Sequence, residues 1–209
     1  MSPLKFAAVY VTALALTACG GGGSSIPEPA PVAASPTAPA PSVPIVGVHI
    51  VAFGDSTQAA QGNPHAASRP GWTIENKGIS GSSTAQWLAR WSNELAATSA
   101  PIVVYNGGLN DGGLTIEEYR HALRELVRIT RAYKKQIILE QPNNADATGD
   151  IVLATFIERR AAVGFVASSE GVYYCAQPDV RLRDGIHPID EDYRLKADTL
   201  AACIEGILK

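Results

Sequence analysis

The chain has 209 residues, of which 46% are hydrophobic and 18% charged, and its formal net charge is −3. That balance builds a packed core and excludes a largely disordered protein. Lys and Arg are neither in excess nor clustered, which excludes the electrostatic footprint of a nucleic-acid binder. Three cysteines and four histidines follow no CxxC, zinc-type or HExxH spacing, so no metal cofactor is expected.

The first segment reads as an address. Lys5 precedes an apolar run, Phe6 to Leu16, that is too short to span a bilayer. It ends in Leu16-Thr17-Ala18-Cys19, which resembles the lipobox of bacterial lipoproteins. The resemblance implies that residues 1–18 are a signal peptide and that Cys19 is acylated; the plainer alternative is a secretory signal with a chance cysteine. Residues 19–44 continue as four glycines, two serines and then a Pro/Ala-rich stretch almost without charge. Such a segment buries too little apolar surface to offset its chain entropy and is expected to be an extended tether. No acidic residue directly follows Cys19. By resemblance to Gram-negative lipoproteins, this implies an outer-membrane anchor, with the domain in the periplasm or at the cell surface.

One domain is expected over 45–209. Apolar runs bounded by turn residues, at Val48–Phe53, Pro101–Tyr105, Gln136–Glu140 and Gly171–Cys175, predict strands, with a weaker one at Trp72–Glu75. Helical periods fall between them at Thr84–Ala97, Ile116–Tyr133, Asp150–Val163 and Ile189–Leu208. The clearest helix carries Ile116, Tyr119, Leu123, Leu126, Val127 and Thr130 on one face, and Thr115 with Glu118 gives it a capping-box start. Short strands alternating with helices predict an α/β fold with a parallel sheet covered on both faces, whose sites form at the carboxyl ends of the strands.

Four segments there carry chemistry. Gly54-Asp55-Ser56 places a serine between the first strand and a helix start, where backbone N–H groups stabilise negative charge. It is not a GxSxG elbow, because Gln58 stands where the last glycine belongs; a plain N-cap is the alternative. Asn76-Lys77-Gly78-Ile79-Ser80-Gly81-Ser82 is either a turn or a loop presenting N–H donors. Gly107-Gly108-Leu109-Asn110-Asp111 is either an Asn/Asp turn or a loop aiming an amide at a developing oxyanion. Asp184-Gly185-Ile186-His187-Pro188 lets a carboxylate fold back on an imidazole, the acid–base half of a Ser-His-Asp system.

Together these blocks resemble the SGNH (GDSL-type) hydrolase family, in its order, with Ser56, Gly81, Asn110 and His187 matching the residues that name it. Asp184 matches the family's acid. The resemblance runs from residue 54 to 188. It implies a three-layer α/β/α sandwich with a five-stranded parallel sheet, doubly wound and flavodoxin-like. It also implies a serine esterase with Ser56 as nucleophile, His187 as base and Asp184 as its orienting acid. The oxyanion hole would comprise Ser56, Gly81 and Asn110. The substrate would be a small acyl ester, a lipid or an acylated glycan, handled by a monomer. Two alternatives use the same residues: a catalytically silent glycan-binding surface lipoprotein, and an O-acyltransferase.

Trp72, Trp87, Trp91 and Tyr105 are candidates for a pocket lining, although Trp87 and Trp91, four apart on one helix, favour the core. Lipidation of Cys19 would leave an even pair, Cys175 and Cys203, in an oxidising compartment. The final helix of a doubly wound sheet packs back on the strands, so the pair is expected to approach bonding distance; two buried thiols are the alternative.

Overall fold

A computed structural model describes residues 47–146 and 150–209. The signal peptide at 1–18 and the tether at 19–44, with Cys19, lie outside the described residues. Strands and helices alternate: β1 (His49–Gly54), α1 (Ser56–Ser68), β2 (Thr73–Asn76), α2 (Thr84–Ala96), β3 (Ile102–Asn106), α3 (Ile116–Ala132), β4 (Gln136–Glu140), α4 (Asp150–Glu170), β5 (Tyr173–Cys175) and α5 (Asp190–Ile207).

The strands form one parallel sheet in the order β2-β1-β3-β4-β5, the flavodoxin-like doubly wound order. β1 and β3 are apolar almost throughout because helices cover both of their faces. Side chains alternate across the sheet. Val51, Phe53, Val103, Tyr105, Ile137 and Leu139 face a core completed by α2, α3 and α4. Ile50, Ala52, Ile102, Val104, Ile138 and Cys175 face a smaller core completed by α5.

The predicted strands lie within two residues of their observed bounds. In α3 the Thr115–Glu118 capping box forms, and the predicted face is buried except for the half-buried Ile116. Two helices differ from expectation. α4 runs on to Glu170, because Val166 and Ala167 beyond Gly164 still point into the larger core, and Gly171 (φ +61°) ends it. α1 has almost no apolar periodicity: the residues it buries include Gln58, Gln61 and His65, and Pro64 lies inside it. Of these, Gln61 donates to Glu140 of β4, which stands near Lys196 of α5 beneath the carboxyl ends of the strands. Among the described residues, no helix is long and apolar enough to cross a membrane.

Cys175 and Cys203 are joined by a disulfide, with Cα atoms 5.9 Å apart. The bond ties the end of β5 to α5, as the packing of the last helix predicted.

Candidate active site

The turn after β1 is shaped by close backbone packing. A Cβ on Gly54 would lie 1.9 Å from the Asn106 carbonyl oxygen, so only glycine lets the ends of β1 and β3 meet there. The Gly54 carbonyl accepts from Trp87 Nε1 at 3.0 Å and from the Ile79 N–H at 2.9 Å. Asp55 is the N-cap of α1, and its carboxylate accepts from the N–H and hydroxyl of Thr57 at 2.9 and 2.8 Å. Burial pushes the Asp55 carboxyl above its ordinary range, opposed by the Thr57 hydrogen bonds and the Lys196 charge. Ser56 is therefore the first residue of a capped helix, where its backbone N–H is one of the helix's free donors.

The serine meets its partners from the far end of the chain. Ser56 Oγ lies 2.8 Å from His187 Nε2, across 131 residues of sequence. His187 Nδ1 lies 2.7 Å from Asp184 Oδ2. The other Asp184 oxygen accepts the backbone N–H groups of His187 at 2.7 Å and Ile186 at 3.1 Å. These bonds, the His187 N–H first, hold the Asp184 carboxyl at about 2, so it stays ionised in neutral solution. An ionised Asp184 accepts from Nδ1–H and leaves the Nε2 lone pair facing Ser56.

The two remaining segments lie next to each other. Gly81 has φ +76°, a left-handed backbone that favours glycine. Asn110 Nδ2 donates to the Ser82 carbonyl at 3.1 Å, which joins the segments. An amide nitrogen carries two N–H bonds. The second N–H of Asn110 and the backbone N–H groups of Ser56 and Gly81 donate to no protein atom among the described residues. Beside them, the Asp111 carboxylate takes the Thr84 N–H at 2.8 Å and the Thr84 hydroxyl at 2.6 Å. Burial raises the Asp111 carboxyl, against the lowering effects of Thr84 and the Arg159 charge.

All the residues expected at the site are thus brought to the carboxyl ends of the strands. The aromatic candidates do not line the site. Trp87, Trp91 and Tyr105 are buried in the larger core and Trp72 in the smaller one, so none of them lines an open pocket. Their periodicity belongs to packing. Sequence reading missed the supports of the site: Trp87 on Gly54, Tyr119 on Gly107, and Arg159 on Gly108 and Asp111. Among the described residues, no group of three or more His, Cys, Asp or Glu is placed to hold a metal ion.

No protein-family model matches the chain, and no curated protein sequence matches it. Solved structures do. A GDSL-like lipase from Bacteroides thetaiotaomicron superposes with a TM-score of 0.66 at 21% identity, over 76% of this chain and 88% of its own. A carbohydrate acetylesterase from Sinorhizobium meliloti gives 0.68 at 16% identity, over 77% of this chain and 100% of its own. A variant of an acetyl xylan esterase from Geobacillus stearothermophilus gives 0.64 at 21%, over 76% and 95%. At such identities the likeness concerns architecture, and the chain has the fold of the GDSL-type (SGNH) hydrolases.

Proposed function

We propose that this protein is a serine esterase that hydrolyses carboxylic esters through an acyl-enzyme at Ser56. The observation that carries the reading is the relay Ser56 Oγ–His187 Nε2–His187 Nδ1–Asp184 Oδ2, with links of 2.8 and 2.7 Å. His187 takes the hydroxyl proton as Ser56 attacks the acyl carbonyl, and then gives it to the departing alkoxide. The tetrahedral oxyanion is met by the unspent N–H groups of Ser56, Gly81 and Asn110, a single such donor being worth about 3–4 kcal/mol. Water, activated by the same histidine, releases the acid and restores the serine.

The substrate proposed first is a short acyl ester on a saccharide, because proteins named as carbohydrate and xylan acetylesterases share the fold. The same proposal places the domain on an outer-membrane lipid anchor through Cys19, from the lipobox-like Leu16-Thr17-Ala18-Cys19. Changing Cys19 to Ser is expected to give an unlipidated precursor, either uncleaved or processed elsewhere.

The test of the chemistry is hydrolysis of 4-nitrophenyl acetate together with intact-mass detection of fluorophosphonate labelling. Wild-type protein is expected to turn over and to gain one adduct at Ser56, while Ser56→Ala loses both. A Ser56→Ala protein that still labels and hydrolyses overturns the mechanism. Acetyl release from an acetylated oligosaccharide separates hydrolysis from silent binding, and acyl transfer to a second sugar reveals a transferase.

A further inference from the structure

Arg159 lies on α4, only 3% exposed, and hydrogen-bonds to neither Ser56 nor His187. Its guanidinium reaches across to the loop after β3. Nη1 donates to the Gly108 carbonyl at 3.1 Å and Nη2 to the Asp111 carbonyl at 2.5 Å. Those two carbonyls bracket Leu109 and Asn110.

A buried guanidinium is a costly way to fill space, and an apolar side chain of similar volume ordinarily serves stability as well. A planar fork of N–H donors offers what methionine or lysine does not, namely a fixed separation between two carbonyls. The loop has use for that restraint. Gly108 sits at φ +135°, a backbone that L side chains rarely adopt, so local preferences do not hold the segment in place. Two further ties come from outside: Tyr119 Oη donates to the Gly107 carbonyl at 2.8 Å, and Asn110 leans on the Ser82 carbonyl, while the Asp111 carbonyl also takes the Leu114 N–H at 2.9 Å from within the loop. The Arg159 charge also faces the Asp111 carboxylate that grips Thr84 at the start of α2, directly after the Gly81 segment.

We propose that Arg159 is a positioning residue for the oxyanion site, fixing the Gly108–Asp111 segment so that the second Asn110 N–H remains aimed at the reacting carbonyl. The inference rests on the reading of Ser56 as nucleophile and Asn110 as an oxyanion donor. It predicts that Arg159 acts through kcat and only in company with Asn110.

The experiment compares Arg159→Met and Arg159→Lys with Val166→Ala, a buried truncation on the same helix that leaves the loop untouched. Three quantities are read: kcat and KM on 4-nitrophenyl acetate, the rate of Ser56 phosphonylation by a fluorophosphonate, and amide hydrogen exchange over residues 107–114. Arg159→Met is expected to lower kcat and the phosphonylation rate by about 10- to 100-fold, with KM within about twofold. Arg159→Lys, which offers a point charge without the fork, is expected to recover only part of the loss, and serves if the methionine variant does not fold. Combining Arg159→Met with Asn110→Ala is expected to be hardly slower than Asn110→Ala alone, since the donor being positioned is already gone. Exchange over 107–114 accelerates in the Arg159 variants and not in Val166→Ala.

Wild-type kcat in Arg159→Met, losses that multiply with Asn110→Ala, or unchanged exchange in the loop each overturn the proposal. Should wild-type protein neither hydrolyse ester nor label at Ser56, the esterase reading itself fails. The exchange measurement still decides whether Arg159 holds the loop.

Discussion

On one face of the sheet, Phe53, Trp87, Trp91 and Tyr105 meet edge to face, with ring centroids 4.7–6.3 Å apart. Their polar tips are satisfied there: Trp91 Nε1 donates to the Leu126 carbonyl and the Thr130 hydroxyl, and Tyr105 Oη to Thr84. On the other face, beside the turn that carries Ser56, α1 and α5 bury Gln61, His65, Glu140, Gln177 and Lys196. Glu140 accepts from Gln61 at 3.0 Å and Gln177 at 2.7 Å, yet among the described residues Lys196 Nζ stands 4.0 Å from it without a hydrogen bond, and neither His65 nitrogen meets a partner. Burial pushes the Lys196 ammonium down and the Glu140 carboxyl up, although each charge opposes the shift of the other. The face that carries α2–α4 is a well-satisfied apolar core. The face under Ser56 is a polar interior whose hydrogen-bonding capacity protein atoms leave partly unmet, and the disulfide is on that side.

The contrast is open to attack in three ways. The largest expected effect is on the apolar side: Trp91→Ala should cost about 3–5 kcal/mol in denaturant unfolding. Gln61→Ala, on the polar side, should cost roughly 1–2 kcal/mol. Equal costs would mean that the two faces do not differ in this way. Next comes the covalent link. Cys175 and Cys203 are 28 residues apart, and loss of the bridge by Cys203→Ser should remove about 3–4 kcal/mol on the loop-entropy model. If the midpoint does not move, the polar face has no need of its staple.

The third concerns acid. Burial, aided by the Arg69 charge, lowers His65 from 6.5 to about 4, so the unfolded chain takes up this proton first. The contribution of neutral His65 is whole above pH 6.5 and drains away as pH falls toward 4, to a total of about 3 kcal/mol. His65→Gln should flatten the stability profile in that window and leave it unchanged above. A profile identical to wild type would remove His65 from the acid response.

Much of this molecule is written in local patterns. β1 ends in Gly54 and β3 in Asn106, and α3 combined an apolar stripe with a capping box, so periodicity and chemistry pointed the same way. The four candidate segments were legible because each sets glycine beside polar groups in a turn, three of them directly after strands and Asp184–Pro188 directly before the last helix. α1 could not be bounded, because the side it buries is polar and a helix of that kind has no hydrophobic period to detect. Arg159 was hidden for a related reason. It has Arg160 for a neighbour, and in sequence an Arg-Arg pair reads as a solvated face. Only the phase of α4 against the sheet sends one guanidinium to the Gly108 carbonyl and the other to Asp179.

The disulfide has one further consequence. It closes a covalent ring from Cys175 to Cys203, and both Asp184 and His187 lie within it. Arg181 and Arg183 stand exposed in the same ring. A protease that cuts after either one opens the backbone without releasing any part of the protein, since the fragment bearing Asp184 and His187 remains bonded through Cys203. Nicked protein would run as one band on a non-reducing gel and as two after reduction. In a setting rich in proteases, damage to the segment that carries Asp184 and His187 would stay invisible until the thiols were freed.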